Sequence, residues 1–225
     1  MSSSYLYLHG WASSPDSHKA RFFRQKFAEK GLICHVPDLN QPDFYHLTLS
    51  RQIKQAAEYL HPNAENIVIG SSLGGLTALW LAAQYPVVTR LILFAPALQF
   101  FSRCQQLIGA EQMRIWREKG ELPIYHYGYE RLETLSYEFI TDMANYCDDE
   151  LTRPIPTLIL HGIQDEVVPF AHSQAFAATR PWVQCRALDS DHGLNNVHEE
   201  LWGAVEGVSL LFQKNNQTNS PEFKS

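Results

Sequence analysis

The stretch NIVIGSSLGGLTALWLAAQYP, residues 66–86, decides how the whole chain is read. It opens on a short β-branched run, passes through glycines and two adjacent serines, and closes on an amphipathic helical pattern. Strand, sharp turn and helix in that order lift one side chain out at the top of the turn, provided glycines on both sides relieve the crowding. The frame Gly70-Ser71-Ser72-Leu73-Gly74 is symmetric about Ser72. Ser71 would be flanked by Ile69 and Leu73, which do not fit, so Ser72 is the exposed residue and Ser71 a neighbour that packs or hydrogen-bonds locally. A serine hydroxyl is a poor nucleophile at neutral pH. It needs a base for its proton and N–H donors for the oxyanion it generates. The helix start at Leu73 supplies one such donor where negative charge is favoured.

Outward from this stretch, apolar runs followed by turn residues predict six strands, over 5–10, 32–38, 66–71, 89–96, 156–162 and 183–191. Helical spacing is carried by Phe22, Phe23 and Phe27 in 18–30 and by Leu49, Ile53, Ala56 and Leu60 in 48–60, and it returns in 73–85, 171–179 and 196–213. Strand alternating with helix implies an α/β fold: a mostly parallel sheet with helices on both faces. Residues 98–150 break the rhythm, with a helix expected over 105–120, a short aromatic run LPIYHYGY at 122–129 and a second helix over 130–146. That is too long for a connection in such a sheet. The expected organisation is a core of 1–97 and 151–212, an insertion of 98–150 after the fourth strand, and a disordered polar tail of 213–225.

A base and an acid should follow Ser72 in the order serine, acid, histidine. His126, His161, His172, His192 and His198 lie downstream. His161 ends a strand before Gly162 and helps the turn, and His172 and His198 fall at or in helices, where packed or solvated roles are expected. His192, in ALDSDHGL just after the last strand, is the candidate base. Asp165, just beyond the fifth strand in LILHGIQDEVVP, is the candidate acid, with Glu166 as fallback. Asp189 and Asp191 are too close in sequence to His192 to reach round it, and Asp142 lies in the insertion. The second oxyanion donor, beside Leu73 N–H, is expected from Trp11 in the turn after the first strand, LYLHGWASSP. If the strand order is 2-1-3-4-5-6, it reverses between strands 1 and 3, so Trp11 and Ser72 meet at the crevice where open α/β sheets bind ligands.

The chain of 225 residues is 45% hydrophobic and 19% charged, enough for a sizeable core. A net charge of −6 without a Lys/Arg cluster excludes a nucleic-acid partner. The four cysteines form no CxxC pair, so no zinc or redox motif is present. Neither a signal peptide nor an apolar run of the roughly 20 residues that span a bilayer is seen, and a cytoplasmic protein is expected.

With these residues in place the chain resembles an α/β-hydrolase, in a minimal form without the first two antiparallel strands. LHGW, GSSLGG, HGIQDEVVP and SDHG carry the likeness in order, and YLHGWASSPDSHKA with IGSSLGG is similar to the bacterial YqiA-like esterases. The resemblance implies a serine hydrolase that cleaves a carboxylic ester or thioester through an acyl-serine intermediate, without metal or organic cofactor. Serine at position 72 argues against the dehalogenases and epoxide hydrolases, which use a carboxylate nucleophile. A hydrolase of C–C or amide bonds with the same triad, or a non-catalytic ligand-binding protein, stays open. The family places its lid after the fourth strand, so the insertion is expected as a helical lid over Ser72. Phe100, Phe101, Leu107, Ile108, Ile115, Trp116, Tyr125, His126, Tyr127 and Tyr129 would either form an aromatic roof, suited to a small, largely apolar acyl group or an aromatic ring, or simply anchor the lid to the sheet; both readings stay open.

Overall fold

A computed structural model describes residues 2–207; the tail expected to be disordered and the end of the expected helix over 196–213 lie outside them. The elements run β1 (Ser3–Leu8), α1 (His18–Glu29), β2 (Cys34–His35), α2 (Leu49–Ala57), β3 (Glu65–Ser71), α3 (Leu73–Gln84) and β4 (Val88–Phe94). Then come α4 (Phe100–Ile108), α5 (Ala110–Lys119), β5 (Glu121–His126), β6 (Arg131–Ser136), α6 (Glu138–Met143), β7 (Thr157–Gly162), α7 (Phe170–Ala178) and β8 (Val183–Leu188). A helix over 198–207 closes the described residues.

Six strands form one sheet in the order β2-β1-β3-β4-β7-β8, every neighbouring pair parallel. This is the 2-1-3-4-5-6 order supposed above. The two-residue period of a strand sends alternate side chains to opposite faces. Leu6, Leu8, Val68, Leu91 and Leu93 join one core with α2 and α3. Tyr5, Tyr7, Ile67, Ile69, Ile92 and Phe94 join the other, with Phe23 and Phe27 of α1 and Leu201 and Trp202 of the last helix. Ser17 and Thr48 start α1 and α2 by accepting the amides of Ala20 and Arg51.

Three elements differ from expectation. The helix read as amphipathic, α3, is buried continuously from Leu73 to Ala82, because it lies between the sheet and α2, with Tyr146 of the segment joining β4 to β7 against Trp80. The edge strand β2 is two residues long, ending before Pro37, which has no N–H to donate. The segment between β4 and β7 is only partly helical. Gly109, at φ 84°, splits the first predicted helix into α4 and α5, and much of the second is an antiparallel hairpin, β5 paired with β6 from Glu121↔Ser136 to His126↔Arg131. The alternation that drives it is short, with Leu122 and His126 buried and Ile124 half-buried on one face of β5.

Candidate active site

At the top of the sheet, β3 ends on Ser71 and α3 begins on Leu73, leaving Ser72 alone at the turn with φ 54° and ψ −119°. This left-handed backbone is strained for any residue but glycine, and neighbouring bonds impose it. Ser72 N–H donates to Phe94 O at 2.9 Å, and Ser72 O accepts from Gly75 and Ala97 N at 2.9 and 3.0 Å. The flanking glycines leave room for neighbouring backbone, since a Cβ on Gly70 would collide with Gly74 O and one on Gly74 with Leu8 O.

His192 stands between this serine and Asp165. Its Nε2 lies 3.0 Å from Ser72 Oγ, and its Nδ1 donates to Asp165 Oδ2 at 2.7 Å. The loop that carries it is held by Asp191, whose Oδ1 accepts the amides of Gly193 (2.9 Å) and Leu194 (3.2 Å), while Asp189 accepts from Gln164. These two aspartates are occupied in building the loop. Asp165 carries four hydrogen bonds, Oδ1 accepting from Val167 and Val168 N–H at 2.9 and 2.7 Å and Oδ2 from two imidazoles. Burial alone would raise its pKa, but hydrogen bonds from His161, His192 and the Val168 amide outweigh burial and hold the carboxyl well below the usual range.

The second imidazole is His161, fully buried at the end of β7. It faces Asp165 Oδ2 (3.0 Å) and Val168 O (2.9 Å), so Nε2 is its donor, and Nδ1 accepts from Ser173 Oγ at 2.8 Å. It was expected to help the turn; it also orients Asp165. His9 was likewise missed. Its Nδ1 donates to Gly10 O at 3.0 Å, and its Nε2 accepts Leu39 N–H at 3.1 Å. In a trans peptide the C=O and N–H point opposite ways, so anchoring Gly10 O fixes the direction of Trp11 N–H. Gly10 brings this turn against the serine: a Cβ there would lie 3.3 Å from Ser72 Cβ. Among the described residues the N–H groups of Trp11 and Leu73 have no backbone acceptor.

The other candidates lie elsewhere. His198 stacks on His18 and Phe22, and His172 reaches Leu98 O. His126 is buried in the hairpin against Tyr129 and Phe44. Asp142 binds Ser50 at the start of α2. Glu166 contributes its backbone carbonyl to Arg103, not its carboxylate to His192. Among the described residues no cluster of three His, Cys, Asp or Glu is placed to hold a metal.

Ser72 opens into a cavity of about 80 Å³, walled by Trp11, Leu98, Phe100, Leu107, Ile108 and Val168. The Trp11 ring stacks on Phe139 and meets Phe100 edge-on. A larger cavity of about 420 Å³ between α4 and α7 holds none of Ser72, Asp165 or His192. The segment between β4 and β7 braces both sides of the site. Arg103 of α4 donates to Glu166 O (2.6 Å) and Val167 O (2.7 Å) beside the acid. Gly128 in the hairpin turn donates to Ala12 O (3.2 Å) beside Trp11.

Residues 4–207 match the uncharacterised protein family UPF0227. The chain belongs to this family. Its fold is that of the α/β-hydrolase superfamily. Alpha/beta hydrolase domain-containing protein 10 from mouse superimposes with a TM-score of 0.71 at 22% identity, over 94% of this chain and 90% of that one. A putative hydrolase from Agrobacterium vitis S4 gives 0.78 at 22% identity, over 92% and 87%. Est1E from Butyrivibrio proteoclasticus, with ferulic acid bound, gives 0.76 at 20% identity, over 93% and 88%. Among curated proteins, the mouse palmitoyl-protein thioesterase ABHD10, mitochondrial, is 30% identical over 56% of this chain and 44% of its own length. The mouse serine hydrolase BPHL is 29% identical over 47% and 40%. The matches thus span less than half the length of these curated relatives. No described helix is long and apolar enough to cross a membrane.

Proposed function

We propose that this protein is a serine hydrolase that cleaves a carboxylic ester or thioester of a small, largely apolar acyl group through an acyl-serine intermediate. The observation that carries the reading is the hydrogen-bonded row Ser72–His192–Asp165 at the mouth of a small apolar cavity. In this reading His192 Nε2 takes the Ser72 hydroxyl proton as Oγ attacks the carbonyl carbon. Asp165 holds Nδ1–H and stabilises the imidazolium. Charge on the carbonyl oxygen is received by the N–H groups of Trp11 and Leu73, one such donor being worth about 3 kcal/mol in the transition state. The imidazolium then protonates the leaving alcohol or thiol, and a water repeats the sequence to release the acid.

The segment 98–150 would act as the lid, with α4 over the acyl group. Hydrolase, esterase and thioesterase names among the relatives support the reaction class. A cavity of about 80 Å³ favours a short chain over a palmitoyl group unless α4 moves. A fluorophosphonate probe tests the reading: wild-type protein should label and Ser72→Ala should not. A panel of p-nitrophenyl esters and acyl thioesters of graded length should then show turnover greatest for short chains. An unlabelled wild type overturns the proposal.

A further inference from the structure

Lys19 stands in the first turn of α1, where no acidic residue accompanies it. A cation is unfavourable at that end of a helix, and its side chain is only partly exposed. Two costs at one lysine point to a task for the ammonium. Nζ donates to Ser71 Oγ at 3.1 Å, a contact between residues 52 apart. Ser71 is the last residue of β3, directly before Ser72, and its hydroxyl also bonds the buried Tyr7 phenol of β1. The carboxylates of Asp191, next to His192, and Asp165 attract the Lys19 charge without forming a direct ion pair with it. Residues 71, 165 and 191 belong to the three segments that must meet for the serine, acid and base to align.

We propose that Lys19 is a positioning residue whose ammonium holds the turn carrying Ser72 through Ser71 Oγ and attracts the loops carrying Asp165 and His192 toward it. The inference rests on the hydrolase reading. The groups that face it are Tyr7 and Ser71 from the sheet, Asp165 and Asp191 from the two loops, and His198 from the last helix, with His18 beside it on α1. Burial lowers the lysine pKa to about 8, with Asp191 and Asp165 pulling the other way. The charged form, present below that pH, draws both carboxylates inward. The neutral amine formed above it can still meet Ser71 but no longer attracts them.

The test is the rate of fluorophosphonate labelling at Ser72, with kcat and KM on a p-nitrophenyl ester, from pH 6.5 to 9.5 in wild type, Lys19→Met and Lys19→Arg. At pH 7, Lys19→Met should label and turn over roughly tenfold to a hundredfold more slowly, with KM little changed, as for slight misplacement of reacting groups. The gap should narrow as pH rises through about 8. Lys19→Arg keeps its charge and should recover rate at pH 7 and carry it to higher pH; if arginine does not fold there, the narrowing gap carries the test. A Met variant with the wild-type rate, or a gap constant across pH alongside a lowered melting temperature, overturns the proposal. Failure of the wild type to label overturns the hydrolase reading instead, so the two failures are distinguishable.

Discussion

Replacing His161 by phenylalanine keeps a ring against Phe170 but removes one of the four donors on Asp165 and the acceptor of the Ser173 hydroxyl. A hydrogen bond to a charged group contributes about 1.5–3 kcal/mol, and a buried hydroxyl left without a partner costs a further ~1–3 kcal/mol. The variant should therefore lose about 3–5 kcal/mol of stability at pH 7. Losing the donor raises the carboxyl pKa, because the His161 hydrogen bond favours the charged form. Asp165 starts below the ordinary value, so it stays ionised at neutral pH and keeps its 2.7 Å bond to His192. Turnover per folded molecule should fall by about tenfold at most, against roughly 10⁴-fold for Asp165→Asn.

The pH dependence has a definite sign. A depressed carboxyl pKa contributes stability that is present above the unfolded value, about 4, and is lost as pH falls through the folded value. The unfolded carboxyl is common to both proteins, so the deficit of His161→Phe in urea unfolding should be flat across neutral and mildly acidic pH and shrink only at strongly acidic pH, as pH falls through the folded value of the variant and then that of the wild type. His161→Gln, which retains an N–H donor, should recover part of it. A turnover loss as large as that of Asp165→Asn, or a deficit that does not shrink at strongly acidic pH, would refute this account of the second imidazole.

Two further outcomes follow. A Cβ on Gly128 would lie 2.8 Å from Ser14 Cβ and 3.1 Å from Ser13 C, so Gly128→Ala should push the turn that carries Trp11. Steady-state kinetics should show kcat reduced by roughly tenfold or more with KM less affected, since one oxyanion donor is worth ~10²–10³ in rate; unchanged kcat would mean the turn is set without the hairpin. Burial pushes the thiols of Cys34 and Cys104 up to about 12. With Ellman's reagent at pH 8, exposed Cys147 should react quickly, partly buried Cys185 slowly, and Cys34 and Cys104 only after unfolding.

What was legible in the sequence was what local sterics dictate. Gly70 and Gly74 are required by backbone within a few residues or one strand away, so their spacing about Ser72 could be read directly. Asp165 and His192 follow predictable strand ends, and the parallel sheet followed from the alternation of runs, while its strand order was only supposed. What escaped depends on contacts made by chain closure. The spacing of His161 and Asp165 has meaning only once the intervening turn folds the imidazole onto the carboxylate. Ser71 was expected to pack or hydrogen-bond locally, yet its hydroxyl meets Lys19 of α1, 52 residues away. The hairpin β5–β6 was hidden because its apolar alternation is weak: one face of β5 is exposed, and burial along β6 grades from one end to the other without separating two faces.

The braces from Arg103 and Gly128 have a consequence for how this scaffold can diversify. Proteins that vary substrate preference by exchanging a covering segment do so freely when that segment only shapes a chamber. Here the same segment grips the loop beside Asp165 at one end and the turn beside Trp11 at the other. Under the proposed hydrolase reading, exchanging it would alter binding selectivity and transition-state stabilisation in a single step. Variation in this lineage should then favour point changes along the inner face of α4, at Cys104, Leu107 and Ile108, over wholesale replacement of the segment.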